Sequence, residues 1–180
     1  MNIVQPVRDL QKLEAMKAVL RRKSYRDYIM FIVGCNTALR VGDLLRLTVG
    51  DVRGKDHITG HDEKTGKPYR HKLPASVRTE IAEYITGMDD LLPLFPSRRG
   101  SKAITRVQAW RILSDAASEV SLDDIGTHSL RKTFGYQYVK ATGRKDIAQK
   151  VFNQSDGKTT ERYLGLTDDD VDEALGEFEL

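Results

Sequence analysis

Apolar positions in the first part of the chain recur at the helical period. Leu10, Leu13, Met16, Val19 and Leu20 follow Asp9, whose short carboxylate suits a helix start. Ser24 opens a second set, Tyr28, Ile29, Phe31, Ile32 and Val33, dense enough to form the centre of a core. After Arg40 a short helix is expected through Leu44, Leu45 and Leu47. The periodicity then lapses. "HITGHDEKTGKPYRHKLP" places a Lys-Thr-Gly-Lys-Pro turn signal between two strand-like runs, which predicts a hairpin. A third strand is expected near Thr48 to Val52. Helical spacing returns from Ser76 to Ile85. Behind a Thr105 cap it runs again across Trp110, Ile112, Leu113, Ala116 and Ala117. "GTHSLRKTFG" starts the next helix, which Gly143 ends. Short helices are expected near Asp146 to Phe152 and Thr160 to Leu164, and Thr167 caps a tail helix over 167–178. Repeats, low-complexity tracts and Pro/Gly/Ser-rich linkers are absent from the sequence. The expectation is one domain over 1–180 of α+β class, predominantly α-helical, with a small three-stranded antiparallel sheet inserted early.

Composition changes this picture little. The 180 residues are 39% hydrophobic and 31% charged, as in soluble globular domains. No apolar run approaches the roughly 18 residues of a membrane span, and the first residues lack the basic-then-apolar pattern of a secretory leader. Cys35 is the one cysteine, so an internal disulfide or a cysteine cluster for zinc is excluded. A reducing, cytoplasmic location is expected, with no membrane partner.

Charge changes it more. The net charge is +3, but Leu164 to Leu180 holds seven acidic residues and no Lys or Arg. Residues 1–163 alone carry 29 basic against 19 acidic side chains. Such a body suits a phosphate-rich partner; an ordinary lysine-rich surface is the plainer reading.

The candidate chemistry lies in separate stretches. His128 and Arg131 stand three positions apart on a predicted helix, so both face one way. Arg40 has apolar neighbours on both sides and needs a partner if half buried. Asp43, three residues on, is the expected one, and a plain helix pair is the alternative. Lys64 lies at the hairpin tip, with Lys67 and Lys72 near enough that spacing does not choose among them. Tyr163 follows Arg162. "LFPSRRGSK" adds Arg98, Arg99 and Lys102 in a basic loop suited to phosphate backbones, and Lys132 sits beside Arg131.

Taken together, these stretches resemble the catalytic domain of the tyrosine site-specific recombinases, the phage integrase family. "TALRVGDLLRL" is similar to the family's first-arginine motif and "EKTGK" to its hairpin lysine. "THSLRKTF" resembles its H-x-x-R motif and "TTERYLG" its nucleophile segment, in the family's order from about Val4 to Tyr163. The resemblance implies DNA strand cleavage and rejoining, without metal or ATP, through a 3′-phosphotyrosine. It makes Tyr163 the nucleophile, His128 the general base and Lys64 the acid that protonates the leaving 5′ oxygen. Arg40 and Arg131 would clamp the non-bridging oxygens. It further implies no cofactor and no small-molecule substrate, double-stranded DNA as partner, a tetramer on that DNA, a nucleoid-associated location if the protein is bacterial, and a tail helix that docks in cis or in trans.

Two features depart from the family. Gln154 stands nine residues before Tyr163, where His or Trp is usual. Its amide still donates a hydrogen bond but brings no charge, so a reduced rate is expected. The usual N-terminal core-binding domain is expected to be absent, so weak DNA binding by the lone domain follows. A degenerate DNA-binding protein of the same fold, or type IB topoisomerase-like relaxation, are the alternatives.

Overall fold

The computed structural model describes residues 4–98 and 100–152. Helix α1 (Leu10–Lys23) begins where the Asp9 carboxylate accepts from Gln11 N at 2.7 Å, as the sequence predicts. Ser24 both ends α1 and caps α2 (Tyr25–Thr37), accepting from Asp27 N. Helix α2 is apolar nearly all round because neighbours cover most of it. Helices α1, α4 (Ala75–Tyr84) and α6 (Thr127–Thr142) pack on its several sides. Ile29, Met30, Phe31 and Val33 are buried there with Met16, Leu20, Leu44, Ile81 and Phe95.

Short α3 (Val41–Leu45) follows α2 after a tight turn. The chain then forms the hairpin β1 (His57–His61) and β2 (Pro68–Lys72), antiparallel, with His57 opposite Lys72 and His61 opposite Pro68. Two strands are thus found among the described residues, where three were expected. Thr48 makes only an isolated bridge to Pro93, and Val49–Asp51 is a 3-10 turn. Asp51 explains the difference: its carboxylate accepts from Thr48 N at 2.8 Å and Thr48 Oγ1 at 2.9 Å, closing a capping box that curls the segment.

Helix α5 (Arg106–Glu119) starts at the Thr105 cap, with Gln108 returning the bond to Thr105 N. Helix α6 ends at Gly143, whose φ of 67° suits a residue without Cβ. Helix α7 (Lys145–Val151) then closes a small second apolar cluster of Ala38, Val139, Ala148 and Phe152. Among the described residues no helix is long and apolar enough to cross a membrane. The expected helices at Thr160 to Leu164 and 167–178 lie outside the described residues.

Candidate active site

The site assembles where three stretches far apart in sequence meet. The first is the turn between α2 and α3. Ala38, fully buried, takes a left-handed φ of 55° at the C-terminus of α2. That conformation costs a non-glycine residue about 1 kcal/mol and persists only where the surroundings impose it. Here the surroundings are visible. Arg131 Nη1 donates to the Ala38 carbonyl at 2.7 Å, and Arg131 Nη2 donates to the Phe152 carbonyl at 2.8 Å. The guanidinium lies 4.8 Å from the Phe152 ring centroid and is buried. Arg131 therefore ties the turn that carries Arg40 to the end of α7, two positions before Gln154 in the sequence.

Arg40 caps α3 without a side-chain cap bond and is partly exposed. Its expected partner was Asp43, and the structure corrects this. Arg40 Nη1 pairs with Asp62 Oδ2, its ion-pair partner among the described residues. Asp43 instead turns its buried carboxylate to the hairpin, accepting from Glu63 N at 3.0 Å and from Arg46 Nη2 at 2.5 Å. The physical reason is the short helix. Asp43 sits in its first turn and points at the hairpin backbone, while Arg40 precedes the helix and reaches past it.

The hairpin supplies the second stretch. Asp62 Oδ1 accepts from Lys64 N at 3.0 Å, Thr65 N at 2.9 Å and Thr65 Oγ1 at 3.0 Å. This is the Asx-type closure that an acidic residue at a turn start provides. Lys64 is exposed at that turn, next to the two residues tethered to α3. Lys67 is exposed on the return side, and Lys72 pairs with His57 at the far end of the ladder. Arg106, the first residue of α5, holds Glu63 at 2.7 Å.

The start of α6 is the third stretch. His128 lies one turn before the buried Arg131. Burial, and then the positive charges of Arg131, Lys132, Arg40 and Arg106, hold its imidazole below the ordinary value of 6.5. Lys132 was expected at the DNA backbone, and the structure places it inside the protein. It is buried, and its Nζ donates to the Val4 carbonyl at 2.8 Å. Arg98 and Lys102 are exposed in a loop closed by Ser97 N on the Lys102 carbonyl at 2.8 Å. Arg99, Gln154 and Tyr163 lie outside the described residues.

Three residues of this neighbourhood escaped the sequence reading. Asp62 had a signal, the Asp that opens D-E-K-T-G. Arg106 and His71 had none. His71 is buried on β2, and burial followed by the charge of Arg131 lowers its pKa to about 4.

The hairpin is thus tied to the Arg40 turn, and that turn in its own right to the H-x-x-R helix through Arg131. Residues 8–169 match the phage integrase family, and the chain belongs to that family. It is 46% identical over 171 residues to "Probable integrase/recombinase YoeC" of Bacillus subtilis, covering 94% of this chain and 93% of that one. It is 26% identical to "Tyrosine recombinase XerA" of Pyrococcus furiosus, covering 92% of this chain but 59% of that relative. In fold it is similar to a XerA recombinase crystal structure, with TM-score 0.80 and 20% identity over 99% of this chain and 68% of that one. It is also similar to the XerH site-specific recombinase bound to its difH substrate, with TM-score 0.74 and 15% identity over 99% of this chain and 56% of that one.

Proposed function

We propose that the protein cuts and rejoins double-stranded DNA at a specific site by transesterification. The Tyr163 oxygen attacks the scissile phosphorus, forms a 3′-phosphotyrosine and releases a 5′-hydroxyl. One phosphodiester is exchanged for another, so no ATP is consumed. A free phenol titrates near pH 10, and reaching phenolate at pH 7 costs about 4 kcal/mol. Proton removal therefore accompanies attack, with His128 as base. Its lowered pKa keeps it neutral and ready to accept that proton. Arg40 and Arg131 bring fixed positive charge to the phosphorane; such preorganised donors are worth about 10²–10³ each in rate. Lys64 protonates the leaving 5′ oxygen, and Gln154 adds a neutral donor. Exposed Arg98 and Lys102, with Arg99, meet the flanking phosphates.

The observation that supports this reading is that Arg131 braces the turn that carries Arg40, Arg40 pairs with Asp62 at the base of the Lys64 turn, and His128 lies one helical turn before Arg131. The protein works on double-stranded DNA as a homotetramer in the cytoplasm, at the nucleoid if it is bacterial, with its acidic tail docking in cis or in trans. The test is covalent trapping on a nicked duplex bearing the site. An SDS-resistant adduct that Tyr163→Phe abolishes supports the reading; no adduct on any bound duplex overturns it.

A further inference from the structure

Among the described residues, Asp62 is the side chain that touches both the phosphate clamp and the turn that presents the proposed acid. Its Oδ2 pairs with Arg40, and its Oδ1 accepts the backbone amides of Lys64 and Thr65 and the Thr65 hydroxyl. Its backbone is also engaged: Asp62 N donates to the Lys67 carbonyl at 2.9 Å and Gly66 N to the Asp62 carbonyl at 2.8 Å. The next residue, Glu63, is held by Asp43 of α3 and by Arg106 of α5. Adjacent residues of the hairpin are thus sewn to Arg40 and Asp43 of one α3 turn.

The burial of the pair gives the direction of the effect. The Asp62 side chain is 6% exposed, while that of Arg40 is 23% exposed. The carboxylate lies on the protein side of the guanidinium and leaves the solvent side open to a phosphate. A guanidinium has five N–H donors, so one edge can be held from behind while another meets an anion. A carboxylate blocking the site would lie on the open side instead.

We infer that Asp62 is a positioning residue that orients Arg40 toward the scissile phosphate and sets the Lys64 turn against it, so that clamp and acid move as one unit. This rests on the function proposed above. Misplacing a catalytic group by about 1 Å costs on the order of 10²-fold in rate, which is the size of effect expected.

The test is a mutant cycle in single-turnover cleavage of a duplex with a 5′-bridging sulfur at the scissile position. Sulfur leaves without being protonated, so the readout isolates the clamp and keeps slow variants measurable. Asp62→Asn preserves shape and the acceptor at the turn, but places an amide donor against Arg40. It is expected to slow sulfur cleavage by about tenfold to 10²-fold. In an Arg40→Ala background it is expected to change the rate less than about twofold, because residues acting through one another are not additive. Asp62→Ala, which also frees the turn, is expected to lose more on the oxygen substrate than on the sulfur one. If Asp62→Asn costs the same in both backgrounds, or cleaves like the parent, the inference falls. Should Asp62→Asn melt below the assay temperature, Asp62→Ser serves in the same cycle with the same two outcomes. A parent protein that yields no Tyr163-dependent adduct would sink the proposed function instead, so the two failures are distinct.

Discussion

The Arg131 guanidinium bridges Ala38, 93 residues earlier in the chain, and Phe152, 21 residues later. The arginine of the H-x-x-R helix is thus a strut as well as a charge. Arg131→Ala is expected to abolish cleavage and also to destabilise the fold by about 3 kcal/mol, since two buried carbonyls lose charge-assisted donors. Arg131→Lys keeps the charge but lacks the fork to reach both carbonyls, so it recovers only part of the stability. Urea unfolding of the three proteins, read beside duplex binding, checks this. An Arg131→Ala protein as stable as the parent would show that the bridge contributes nothing.

A second prediction follows from His128. Burial and then the charges of Arg131, Lys132, Arg40 and Arg106 disfavour imidazolium, so the lowered pKa leaves the ring neutral at physiological pH. Cleavage should be flat near pH 7 and fall only as pH drops below the ordinary imidazole value of 6.5. His128→Ala should remove that acid limb and slow cleavage by roughly 10²–10⁴-fold. A single-turnover pH profile with a midpoint above 6.5 would contradict it.

Lysines in this chain divide by what they touch. Lys132 is spent on the Val4 carbonyl, and burial followed by the charge of Arg8 lowers its pKa. Lys132→Met should lower stability by about 1–3 kcal/mol and leave the salt dependence of DNA binding unchanged. Arg98→Ala and Lys102→Ala should each reduce the slope of log affinity against log salt by about 1. Titrations at several salt concentrations separate the two groups.

His71 gives the fold an acid sensitivity. Its folded pKa, lowered to about 4 by burial and then Arg131, lies below the unfolded value of 6.5. As pH falls from 6.5 toward 4, the unfolded chain takes up a proton that the folded one refuses. Stability is therefore complete above 6.5 and drains across that window, by roughly 2–3 kcal/mol near pH 4.5. His71→Leu should lose less stability than the parent between about pH 7 and 4.5. Equal losses in denaturant titrations would place the acid sensitivity elsewhere.

Local order was legible in the residues. Asp9, Ser24 and Thr105 cap the helices that follow them, Gly143 ends α6, and Lys-Thr-Gly-Lys-Pro folds the hairpin. Each of these depends on neighbours within four or five positions, so the chain specifies it directly. The capping box of Thr48 and Asp51 was equally local, yet a strand was expected there, and hydrogen bonds accepted by one carboxylate decided otherwise.

The partners of charged groups were not legible. Arg40 has an acid three residues away and takes one twenty-two residues away; Lys132 resembles a surface cation and is buried on the N-terminal segment. Arg131 reads as a phosphate ligand and proves also to be a brace between two loops. A sequence states which side chains carry charge and, through resemblance to a family's motifs, which of them are candidates for the chemistry. Which carboxylate or carbonyl meets each cation depends on distances between segments that only packing brings together, because the attraction and its desolvation cost are both settled within a few ångströms.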